Sequence, residues 1–108
     1  MKALWAYAYR IVPPQPSQRL GTIRTLLKDE ALAAQGSGRT WSGRLVLEAE
    51  VTHILIVSDA PERNPSIDRR LEAEIERLDA AFSVTEPLEV AGYAEGVESL
   101  VTYEGNGR

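Results

Sequence analysis

The chain contains no cysteine, which removes a disulfide framework, a thiolate nucleophile and any cysteine-based metal site together. A single histidine excludes a histidine-rich metal site as well, and no cofactor is called for by the residues present. Only two of the twelve basic residues are lysines, and acidic residues outnumber the basic ones by sixteen to twelve. The net charge of −4 repels a polyanion, so nucleic acid is not an expected partner. No stretch approaches the roughly 18 apolar residues that a membrane span requires, so no membrane partner is expected either. The opening LWAYAY imitates an export signal poorly: aromatics alternate with alanine, Arg10 interrupts, and Pro13-Pro14 follows without a small-residue cleavage pattern. A cytoplasmic location is the expectation. Glycine-rich phosphate loops are missing too, since GSGRTWSG has neither the P-loop lysine context nor a strand before it.

What remains is ordinary globular composition, 44% apolar and 26% charged, in 108 residues. That length suits one compact domain, expected over residues 1–104 with a flexible tail at 105–108. ALWAYAYRIV alternates with period two from Ala3 to Val12 and reads as a first strand, ended by Pro13, Pro14 and Pro16. A helix follows with Leu20, Ile23, Leu27, Ala31 and Ala34 on its apolar side, Ser17 or Thr22 as N-cap, and Gly36 just past its end. Two β-rich runs, Trp41 to Glu48 and Val51 to Ser58, predict a hairpin, and Asn64-Pro65 supplies the cap and first position of a second helix. Ile67, Leu71, Ile75, Leu78 and Phe82 form that helix's apolar stripe. A last β-like stretch from Val84 to Tyr93 contains Pro87, which implies an edge position or a bulge, and a short extra strand is expected over Val97 to Tyr103.

The order β-α-β-β-α-β predicts an α+β domain of the ferredoxin-like kind, four antiparallel strands with both helices on one face. Regulatory ligand-binding modules, RNA-binding modules and dimeric α/β-barrel enzymes share this topology, so it leaves function open.

Helices pack closely on small residues, so Leu4, Ala6 and Ala8 are expected beneath them, leaving Trp5, Tyr7 and Tyr9 on the open sheet face. His53, Leu55 and Val57 from the third strand and Arg44, Val46 and Glu48 from the second join that face. Such a patch exceeds what soluble monomers usually expose, so it is expected to be covered, first by a second copy in a homodimer, or else by a ligand in a cleft at that interface or by the chain's own C-terminal segment; a protein partner is a further expectation. His53 beside aromatics suits a general base, although a half-buried strand histidine is the simpler reading. RNA-recognition motifs place aromatics on two central strands, but VTHILIVS has none. HILIVSDAPERN resembles the opening strand of a response-regulator receiver, yet no acceptor aspartate or switch lysine follows in order. Arg63, Arg69 and Arg70 near the start of the second helix invite an anion site, but Glu62, Asp68 and Glu72 are interleaved with them and an ion-paired helix face is the simpler reading. Glu72 and Glu76 are read as exposed and without a catalytic role. The leading expectation is a dimeric module that binds a partner or small ligand without catalysis. The alternative is a cofactor-independent enzyme using a Trp5, Tyr7 and His53 cleft.

Overall fold

In the computed structural model, which describes residues 3–90, the elements run β1 (Leu4–Val12), α1 (Gly21–Gly36), β2 (Trp41–Leu47), β3 (Thr52–Ser58), α2 (Pro65–Arg77), β4 (Ala81–Val84) and β5 (Leu88–Val90). The result is a mixed α+β architecture in which an antiparallel sheet, ordered β2-β3-β1-β4, is joined by β5 pairing with β1. The expected strand over Val97 to Tyr103 and the tail at 105–108 lie outside the described residues.

The central strands behave as their sequences require. THILIVS of β3 is buried along its whole length, which an apolar run flanked by two strands predicts. The hairpin closes over Glu48 to Val51 with a backbone bond of 3.0 Å, and its register pairs Leu47 with Thr52 and Trp41 with Ser58. Gly43 in β2 keeps the strand close to α1: a Cβ there would come within 2.8 Å of Leu27 Cδ2 and 2.9 Å of the Trp41 ring.

Pro87 marks a bulge. Tyr9 pairs with Val84 and Ala6 with Leu88, so three steps along β1 meet four along its partner, and the extra residue exchanges the faces beyond it. Phe82 and Val84 accordingly pack on the helix side, whereas Val90 packs on the other. Thr85 stitches the break, its Oγ1 accepting from Ala8 N at 2.9 Å and its own N donating to Ala8 O at 3.0 Å.

The helices follow their apolar periods with corrections at the ends. Ser17 opens a short 3-10 turn and Leu20 occupies the α1 cap position without a side-chain bond, so neither Ser17 nor Thr22 is the cap. Asn64 does cap α2, its Oδ1 accepting from Ser66 N at 3.0 Å and Ile67 N at 3.3 Å. That helix ends at Arg77, and Asp79 turns the chain with φ of 58°, so Phe82 reaches the same core from β4 rather than continuing the stripe.

The largest correction concerns β1. Tyr7 and Tyr9 stand on the helix side, in one cluster with Ile11, Ile54, Ile56, Ile67, Leu71 and Ile75, while Ala6 and Ala8 lie on the opposite face with Leu55 and Val57. Register dictates this. In an antiparallel pair, residues directly opposite share a face, and Tyr7 pairs with Ile56 and Tyr9 with Ile54, the two isoleucines beneath the helices. Small residues therefore do not mark the helix side. The aromatics do, because α2 carries acceptors for their hydroxyls.

Candidate functional site

Asp68 and Glu72 sit one turn apart on α2, each immediately after a stripe residue, Ile67 and Leu71. This offset brings both carboxylates over β1. Tyr7 Oη donates to Asp68 Oδ1 at 2.8 Å, and Tyr9 Oη donates to Glu72 Oε2 at 2.9 Å. The two rings are tilted against each other with centroids 6.4 Å apart, and Tyr9 packs on Phe82 at 5.6 Å. Tyrosine rings are thus buried in the core while their polar ends emerge at the foot of the helix.

Arginines complete the group. Arg63 Nε lies 3.0 Å from Asp68 Oδ2, an ion pair whose approach is not aligned as a hydrogen bond. Together Arg63, Pro65, Asp68, Arg69 and Glu72 line an open cleft of about 360 Å³. Asp68 is the most buried of them, at 4% exposure, and Arg69 is exposed. Burial raises the pKa of both tyrosine hydroxyls above the ordinary value, and the neighbouring carboxylates push in the same direction, Asp68 for Tyr7 and Asp68 with Glu72 for Tyr9. Tyr7 and Tyr9 therefore stay protonated far into the alkaline range and act as donors.

The residues expected on one open face are divided by the sheet. Trp5, Tyr7 and Tyr9 share strand parity on the helix side, with Trp5 half-buried. His53, Leu55 and Val57 follow the other parity of β3, and Val46 packs with Leu55 and Val57; Arg44 and Glu48 share its parity on the β2 side. Tyr7 and His53 thus stand on opposite faces and form no common cleft. Ala6, Ala8, Leu55 and Val57 are at most 2% exposed, so they present no apolar patch of the kind that motivated a covering second copy. His53 is buried, with Nδ1 3.3 Å from Glu48 Oε1 at the hairpin end. Its burial is complete, where the simpler sequence reading expected a half-buried strand histidine.

Sequence reasoning passed over Asp68 and Glu72, reading both as acids interleaved with arginines and Glu72 as exposed, whereas Glu72 is half-buried. A signal existed: both occupy positions adjacent to the apolar stripe, four residues apart, where a helix rim meets its sheet. Among the described residues no group of three potential ligands is placed to hold a metal ion, and no helix is long and apolar enough to cross a membrane. The chain matches no protein-family model, no curated protein and no solved structure. The geometry of the cleft carries the functional reading.

Proposed function

We propose that this protein is a small, non-catalytic binding module of ferredoxin-like topology, acting in the cytoplasm, that takes a small polar ligand in the cleft along the start of α2. The element order and the antiparallel strand order β2-β3-β1-β4 support the ferredoxin-like reading. One observation carries the binding reading: two tyrosines from the sheet hold Asp68 and Glu72 in place on the wall of a cleft that Arg63 and Arg69 also line. Preorganised charged groups lose little freedom when a ligand arrives, which favours recognition. The cleft volume of about 360 Å³ falls at the small end of ligand sites, roughly 300 to 1,000 Å³, and suits a molecule of few heavy atoms. The tyrosines serve as fixed donors rather than as bases, which favours binding over proton transfer.

A thermal-shift screen of small polar compounds, run on the wild type and on Arg69→Gln and Glu72→Gln, tests this reading. Both substitutions preserve folding, because Arg69 is exposed and a glutamine amide oxygen still accepts from Tyr9. The expected result is stabilisation by at least one compound that either substitution removes. Stabilisation that survives both, or none from any compound, contradicts it.

A further inference from the structure

We infer that the cleft selects a zwitterion, a small molecule carrying an ammonium group and an anionic group a few bonds apart. This rests on the reading of the cleft as a ligand site and adds the chemical class of its ligand. The lining residues alternate in sign along the chain, Arg63, Asp68, Arg69 and Glu72, giving two cations and two anions around one opening. A simple anion meets Asp68 and Glu72, a simple cation meets Arg63 and Arg69, and an apolar molecule finds only Pro65 without charge. A molecule with both charges satisfies both sets.

The acceptors and donors have capacity left. Asp68 is already engaged, Oδ1 by Tyr7 and the buried Oδ2 by the ion pair with Arg63, so the open capacity lies with Glu72 and Arg69. Glu72 commits Oε2 to Tyr9, which leaves the lone pairs of Oε1 for an ammonium. Arg69 forms no ion pair among the described residues, so its fork of donors is available to a carboxylate or similar anion. Arg69 and Glu72 stand three residues apart on one helix, a spacing that puts their Cβ atoms about 5 to 6 Å from each other. The two side chains therefore rise from neighbouring points of one helix face, where a single short molecule can reach both. We assign the ammonium to Glu72 Oε1, with the buried Asp68 carboxylate adding negative charge behind it, and the anion to Arg69 with support from Arg63.

γ-Aminobutyrate, butyrate and butylamine form a matched set of probes: one skeleton carrying both charges, the anion alone and the cation alone. Each is titrated by NMR into the wild type, Arg69→Gln and Glu72→Gln. Saturable binding of γ-aminobutyrate is expected, with butyrate and butylamine each weaker by about tenfold or more, as expected for loss of one charge-assisted contact. Each substitution is expected to weaken γ-aminobutyrate by a similar factor, about tenfold or more, while circular dichroism and melting stay at wild-type values. Butyrate binding as tightly as γ-aminobutyrate, γ-aminobutyrate binding unaffected by both substitutions, or no saturable binding of the zwitterion overturns the assignment. A screening compound of other chemistry whose stabilisation depends on Arg69 or Glu72 would keep the cleft as a ligand site while the zwitterion assignment falls. If no compound depends on either residue, both fall together.

Discussion

Raising the pH tests the tyrosine–carboxylate pairs without altering the sequence. In the unfolded chain Tyr7 and Tyr9 ionise near the ordinary pKa of about 10, whereas in the folded protein burial and the adjacent carboxylates hold both hydroxyls protonated well above it. Below that ordinary value both states are protonated and the contribution to stability is fully present. As pH rises beyond it, the unfolded chain binds fewer protons than the folded one, and linkage then requires stability to fall. At about pH 11 the loss is about 1.4 kcal/mol for each tyrosine, or about 3 kcal/mol for the pair. For a domain whose total stability is of the order of 5 to 15 kcal/mol, this loss is large enough to measure. Urea midpoints followed by circular dichroism between about pH 8 and pH 11, for the wild type, Tyr7→Phe, Tyr9→Phe and the double variant, isolate the effect. Tyr93, Tyr103 and the lysines are common to all four proteins and cancel in the differences. Each single substitution is expected to remove about half of the tyrosine-dependent decline, and the double variant nearly all of it. The variants begin less stable near neutrality, because a buried Asp68 without its Tyr7 donor costs about 1 to 3 kcal/mol. Parallel pH profiles for the wild type and the double variant would refute the reasoning.

The core offers clean tests elsewhere. Leu71→Ala and Ile75→Ala each empty a fully buried position and should lower the unfolding free energy by about 2 to 5 kcal/mol in urea denaturation. Gly43→Ala places a methyl against Leu27 and Trp41 and is expected to cost about 1 to 3 kcal/mol, read from the same transition. Asn64→Ala removes the acceptor for Ser66 N and Ile67 N and should cost about 1 kcal/mol, while leaving the far-ultraviolet spectrum unchanged.

Patterns that depend on one segment at a time were legible in the sequence. Alternation located β1, the Asn64-Pro65 pair located the start of α2, and Pro87 announced the bulge that divides β4 from β5. Faces were harder, because a strand with period two shows two faces without saying which one is covered. For β3 both faces are apolar, and Ile54 and Ile56 lie on the helix side. For β1 the decision rests on pairing, since Tyr7 lies opposite Ile56, and that register is a long-range fact. The site escaped for a related reason. Asp68 and Glu72 acquire meaning only once Tyr7 and Tyr9 stand beneath them, across more than sixty residues of chain. Read alone on α2, they are two more charges beside arginines.

The central claim is that a ligand enters the cleft at the start of α2. Amide NMR spectra recorded while the strongest screening compound is titrated test it most directly, since each backbone position reports separately. The account predicts shifts concentrated at Arg63, Asp68, Arg69 and Glu72, with His53, Leu55 and Val57 on the opposite face unmoved. Shifts centred on His53, Leu55 and Val57 instead, with the α2 residues silent, would contradict it.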